Sequence, residues 1–244
     1  DRGLLTIGRS KDGRQSIRQW RWQDQSLQPE HEWLLLWSSG SFGMDPDRQR
    51  LLAAEADGTG TSFDLRTGAR RQVRLIGEDF TCAEVLAVAG LSDGGWALVT
   101  RGGPMPEEHC AWRHRLWMLE ADGRPRAVRA LQVAPFGGDL QLVVDPAGKW
   151  VLLDQVCYRG GLQWFSTADA SLLAECRFWR DRHWSVACPD GRWDGSLPAD
   201  DRRIRWSVGD GATAPFAQAA AQRRPGLLGE LLGAGDGDAA ASDE

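Results

Sequence analysis

The residues best equipped for chemistry lie in two short clusters. Glu107-Glu108-His109-Cys110, followed by His114, place two imidazoles, a thiol and two carboxylates within eight residues. Soft and borderline ligands of this kind hold zinc when four of them converge. Their spacing fits no common zinc module, and a solvated loop accounts for the same letters, so no metal and no cofactor is expected. His183 and Cys188 form the second cluster. A thiol–imidazole dyad needs the base within hydrogen-bond reach of the sulfur. Five residues apart on a regular strand, the two side chains point to opposite faces. Cys188 also runs into Pro189 at a turn, so a buried thiol is the better reading. The glycines at 58, 60, 102, 103, 160 and 161 precede no helix carrying Lys-Ser or Lys-Thr, and they read as turns rather than a phosphate loop. No catalytic residue is expected.

The elements that must position these groups repeat. Residues 45–68 (DPDRQRLLAAEADGTGTSFDLRTG) and 145–170 (DPAGKWVLLDQVCYRGGLQWFSTADA) share one pattern of turn, strand, turn and aromatic-ended strand. Residues 92–123 repeat it with a longer middle. A strand-rich repeat near fifty residues, punctuated by Gly and Asp, is the mark of β-propeller blades. The apolar runs Leu51–Ala54, Trp96–Val99 and Trp150–Leu153 suit inner strands covered on both faces. Asp45-Pro46 and Asp145-Pro146 suit the turns entering them. Phe63, Trp117, Phe165 and Trp206 would wedge between blades.

The expected division is a partial blade over 1–32, with strands at Leu4–Gly8 and Ile17–Trp22. Blades follow at 33–77, 78–133 and 134–180, with an outer strand of the first of these at Gln72–Ile76. Closing strands occupy 181–208, at Ser185–Ala187 and Arg203–Val208. About four to five blades in an incomplete ring result. Trp193-Asp194 reads as part of a turn. Two short helices follow, Pro215–Arg224 and Pro225–Leu232, with Leu227, Leu228, Leu231 and Leu232 on one stripe. Residues 234–244 contain only Gly, Ala, Ser and acids and read as a disordered acidic tail.

Composition narrows the function. A formal net charge of −5 argues against a nucleic-acid binder. Of 29 basic residues only Lys11 and Lys149 are lysine, and asparagine is absent, a skew expected of a GC-rich coding sequence. Five irregularly spaced cysteines without a CxxC suit reduced thiols in a cytoplasmic protein. The longest apolar run, Trp33–Trp37, is far short of a membrane span. The first residue is Asp1, so an upstream start is expected.

CPDGRWDGS, IRWSVGD and RRPGLLGELLGAG together resemble the closing segment of large bacterial WD-repeat proteins. In that family such a propeller is often joined to a caspase-like or other effector domain. The resemblance implies an all-β, WD-type propeller that acts as a non-catalytic scaffold or sensor, restraining an effector domain. Its repeats are degenerate here: the usual Trp-Asp pair is replaced by Phe63-Asp64, Trp117-Met118, Phe165-Ser166 and Trp206-Ser207. The Gly-His pair of the standard repeat is missing, and so is any peptidase motif.

The expected partner is a protein or an effector domain of the same polypeptide, not nucleic acid or a membrane. The insertion 101–113 should share a rim with 57–60 and 157–161, where His109, Trp112 and Tyr158 are the contact candidates. Leu227, Leu228, Leu231 and Leu232 should dock on a surface, either the last blade or a neighbouring domain. Arg223 and Arg224 either pair with an acidic partner or face water. The rival reading is an enzyme with a loop-lined site on one propeller face.

Overall fold

The computed structural model describes residues 3–9, 15–35, 41–45, 47, 49–54, 58–75, 84–102, 114–131, 139–156, 161–179, 181–196, 207–208, 212–213 and 221–231. Nearly all of these residues lie in antiparallel strands that pair with their neighbours in sequence. Sheet I contains β1 (Gly3–Arg9), β2 (Gln15–Gln23) and β3 (Ser26–Leu34). Sheet II contains β4 (Ser41–Met44), β5 (Arg50–Ala54), β6 (Thr59–Asp64) and β7 (Arg70–Arg74). Sheet III contains β8 (Glu84–Gly90), β9 (Trp96–Arg101), β10 (His114–Leu119) and β11 (Pro125–Leu131). Sheet IV has six strands: β12 (Asp139–Val144), β13 (Trp150–Val156), β14 (Gly161–Ser166), β15 (Leu172–Phe178), β16 (Trp184–Ala187) and β17 (Trp193–Gly195). A two-residue hairpin, β18 (Ser207–Val208) with β19 (Ala212–Thr213), and one helix, α1 (Leu227–Leu231), complete the described elements.

The sheets stack face to face as propeller blades, each seam filled by an apolar cluster. Ile17, Trp33, Leu51 and Phe63 join sheets I and II. Leu52, Leu75, Val88, Trp96 and Trp117 join II and III. Val99, Leu116, Met118, Val151 and Phe165 join III and IV. Burial of each such side chain contributes about 1.5–3 kcal/mol. The aromatic wedges are therefore where the repeat places them: Phe63 and Phe165 are 1% exposed and Trp117 5%. Trp206 lies outside the described residues. Strand β5 is buried along both faces from Leu51 to Ala54, as is β9 from Trp96 to Thr100. In β13 burial alternates instead, because Trp150 and Leu152 face the C-terminal cap rather than another full blade.

Six sequence expectations need correction. The first sheet has a third strand, β3, joined to β2 through Asp24 and Gln25, both at positive φ. Trp193-Asp194 is not a turn but the core of β17, since the tight turn closes earlier, with Cys188 accepting from the Gly191 N–H. Ser207–Val208 pairs with Ala212–Thr213 rather than flanking β16, which is covered by β17. The segment expected as helix up to Arg224 ends in extended chain, where Arg223 forms a parallel bridge with Trp193. Helix α1 starts at Leu227, after Gly226 at φ 86°, so Pro225 does not open it. The outer strand of sheet II lies at Arg70–Arg74, two residues earlier than expected.

Candidate interaction surfaces

The innermost strands β4, β8 and β12 run side by side in one direction. Glycine makes this approach possible: a Cβ at Gly43 would strike the Val88 carbonyl, and one at Gly90 would lie 2.5 Å from the Asp45 Cα. Between the three strands is a cavity of about 340 Å³, lined by residues such as Phe42, Met44, Val88, Leu142 and Val143. Its one acid, Asp45, is 7% exposed and fully engaged. Asp45 Oδ1 accepts from the Gln49 and Arg50 N–H groups at 2.7 and 3.0 Å, and Oδ2 accepts from Arg50 Nε at 3.1 Å.

Because the blades share one direction, their connections segregate to two rims. The first rim gathers the entry turns at Asp45–Gln49, Leu91–Gly95 and Asp145–Lys149. Arginines latch these turns across the seams. Arg50 donates to the Gly94 carbonyl at 2.8 Å while lying over the Trp96 ring, centroid distance 5.2 Å. Arg126 donates to Asp93 Oδ2 at 2.5 Å and to the Thr167 carbonyl at 2.9 Å, tying sheet III to sheet IV. Partial burial acts to raise the Asp93 pKa, but hydrogen bonds from Arg126 and the Gly95 N–H outweigh it and hold the carboxyl below its ordinary range. At the seam of sheets I and II, Trp33 Nε1 donates to the Gly68 carbonyl at 3.1 Å.

The second rim carries the connections between second and third strands. Their stems end at Ala54 and Thr59, Arg101 and His114, and Val156 and Gly161. Thus the three segments expected on one rim do hang from stems on one rim, opposite the latched turns. His109, Trp112 and Tyr158 themselves lie outside the described residues, as does the Glu107–Cys110 cluster.

Sheet IV is capped by the chain's own C-terminal segment. Leu227 is fully buried against Trp164, Ala174, Cys176, Val186 and Cys188, with Leu228 and Leu231 packed beside it. Leu232 lies outside the described residues. Asp194 fastens this cap: its Oδ2 accepts from the Gly226 N–H at 2.8 Å. Arg223 donates to the Gly195 carbonyl at 2.7 Å and lies over the Trp193 ring, centroid distance 5.3 Å. Arg224 pairs with Glu230 at 2.8 Å. Both arginines thus face water, as one of the two expectations had it, while also pairing within the chain, Arg224 with Glu230 rather than with an acidic partner.

The thiol–imidazole pair is not assembled. His183 Nδ1 lies 3.1 Å from Ser196 Oγ, and Cys188 is buried under α1. Desolvation raises the Cys188 pKa and pushes that of the fully buried Cys176 up to about 11. Sequence reasoning missed the seam arginines Arg50 and Arg126 entirely. The only available signal was their recurrence next to Asp- or Gly-bearing turns.

No family model and no curated protein matches the sequence. Among solved structures the chain is similar to a protein from Lactobacillus plantarum, at 13% identity over 87% of this chain and 66% of that one, with a TM-score of 0.47. Hsv2 from Kluyvelomyces marxianus gives 11% identity over 76% and 55%, TM-score 0.47. BamB from Moraxella catarrhalis gives 14% identity over 87% and 62%, TM-score 0.46. The chain thus spans less than two thirds of the length of each of these structures. No described helix is long and apolar enough to cross a membrane. Its own geometry, antiparallel meanders stacked around parallel inner strands, makes the chain an all-β protein of β-propeller architecture.

Proposed function

We propose that this chain is a non-catalytic protein-interaction module, a propeller segment of WD-repeat type within a larger bacterial protein. It serves as scaffold or sensor and restrains an effector domain of the same polypeptide or a separate protein. The observation that carries this reading is the division into two rims. One rim is consumed by turn-to-turn latches through Arg50 and Arg126. The other bears the connections between second and third strands, one of them long (102–113), and these connections carry His109, Trp112 and Tyr158. Aromatic side chains on a rigid scaffold are the residues that anchor protein contacts. To test this, residues 103–112 are replaced by a short Gly-Ser linker. The replacement should leave the melting temperature unchanged and abolish capture of the partner recovered with the intact chain. Capture that survives the replacement contradicts the reading.

A further inference from the structure

The outermost strand of a blade is an edge, and sheet IV shows what such an edge can take. Its fourth strand, β15, is not its last. Strands β16 and β17 continue the sheet antiparallel, with Cys176 opposite Val186 and Val186 opposite Asp194. Sheet II stops at β7. Hydrogen bonds at the two ends of β7 fix which of its backbone groups point away from β6. The Leu75 N–H donates to the Gly58 carbonyl at 3.0 Å, and the Ala69 carbonyl accepts from the Asp64 N–H at 2.8 Å. Backbone groups alternate in direction along a strand, so Arg71 and Val73 also face β6, opposite Ser62 and Gly60. Arg70, Gln72 and Arg74 therefore turn their N–H and C=O groups outward. The Arg74 carbonyl meets the β10–β11 turn of sheet III, where a Cβ at Gly123 would strike it. Among the described residues no strand pairs with the outward groups of Arg70 and Gln72.

We propose that β7 takes up an extended acidic peptide of a partner protein as a fifth, antiparallel strand of sheet II. The side chains select this occupant. The strand reads Arg70-Arg71-Gln72-Val73-Arg74, and every residue but Val73 is exposed. Arg70 and Arg71 form no ion pair among the described residues, in a chain whose formal net charge is −5. A second copy is excluded, because two β7 strands paired about Gln72 would set Arg70 against Arg74, and like charges directly opposite repel. A neutral strand gains nothing from the arginines, which guard the edge against indiscriminate pairing. Acids opposite Arg70 and Arg71 turn that guard into selection. Main-chain pairing then supplies affinity and the side chains supply specificity. The corresponding edge of sheet III is less open: β11 starts at Pro125, and its Arg126 is spent on Asp93 and Thr167.

Sheet II has a blade on each side, and β7 lies at its outer edge rather than on a stacking face. Access to this edge therefore does not depend on how many blades complete the ring. The site is also separate from the connections that carry His109, Trp112 and Tyr158, so either surface can fail without the other. Five residues of strand span about 17 Å, which makes the contact small, weak and reversible.

The test titrates a fluorescein-labelled peptide, Glu-Val-Thr-Glu-Glu flanked by glycines, into the 244-residue chain and follows fluorescence anisotropy. Saturable binding is expected, with slowed hydrogen exchange at the Arg70 and Gln72 amides. Arg70→Glu combined with Arg71→Glu should weaken binding about tenfold or more, since attraction becomes repulsion at two positions. A peptide with Lys in place of each Glu should bind that variant instead. Gln72→Pro removes only an outward N–H, so it should keep the circular dichroism spectrum and abolish binding. N-methylation of the peptide amides that face β7 should abolish binding to the unaltered chain. No binding at about 1 mM peptide overturns the proposal. So does binding that survives N-methylation, which marks charge attraction without strand addition, or equal binding of the glutamate and lysine peptides.

Discussion

Gly43 occupies the narrowest point of the hub, where its missing side chain lets β4 lie against the Val88 carbonyl. The obstacle is backbone, which cannot swing aside as a flexible side chain would. Gly43→Ala should therefore cost about 1–3 kcal/mol, the range for overpacking a tight site. Gly8→Ala is its control, with nothing within 4 Å of the added carbon, and should be near neutral or slightly stabilising. Urea denaturation of both variants measures the contrast. Cys176 gives a second residue-level expectation. Desolvation holds its folded pKa at about 11, above the ordinary thiol value of 9.0. The unfolded chain loses this proton first as pH rises. The stability contributed is complete below about pH 8.5–9 and is lost on the way to pH 11, reaching roughly 2 kcal/mol. Melting temperature should fall over that window, and Cys176→Ala should flatten the fall. The latches were the least legible residues of all. Arg50 and Arg126 read as two of 27 arginines in a skewed composition, and only the stacking of one blade on the next gives them their acceptors.

At the scale of elements, the strands that were legible are those with both faces buried. Leu51–Ala54 and Trp96–Val99 announce themselves because continuous burial demands a continuous apolar run. Strand β3 does not, since most of SLQPEHEWL faces water and its edge position tolerates Pro29 at a bulge. The β2–β3 turn, Asp24-Gln25, also lacks the glycine that usually marks a two-residue hairpin. Strand β17 was hidden by its neighbours: three turn-forming residues precede a tryptophan that is wholly buried. The leucine stripe of α1 was legible, and its docking surface is the last sheet. A helix of five residues has no stability of its own. Leu227→Ala should cost about 2–5 kcal/mol. Ending the chain after residue 209 should lower the melting temperature by roughly 6–12 °C for about 3 kcal/mol lost. Ending it after residue 233 should change nothing, since α1 and its Asp194 clasp remain. Differential scanning calorimetry of the two truncations decides this, and equal melting temperatures would make α1 a mere tether.

For the whole molecule, the repeat predicted stacked antiparallel blades; sheets II and III lie within the expected spans 33–77 and 78–133, whereas sheet IV runs past 180 to Gly195 and takes in strands expected to close the ring separately. The chain's ends were harder to read, because blade-like patterns fade where a sheet has only one neighbour. Among the described residues the seams run from sheet I to sheet IV and on to the cap, and no apolar cluster joins sheet IV back to sheet I. The described blades thus share a latched rim and, opposite it, a rim of second-to-third-strand connections. His109, Trp112 and Tyr158 are legible from the sequence as candidate contacts, and the topology shows only that the strands flanking their connections end on one rim. The most direct test places a photo-crosslinking amino acid at Trp112 or Tyr158 on one rim and at Asp122 or Asp169 on the other. The account predicts that the partner or effector domain is captured from positions 112 and 158 and not from 122 and 169. Capture of equal yield from both rims, or only from the latched rim, would contradict it.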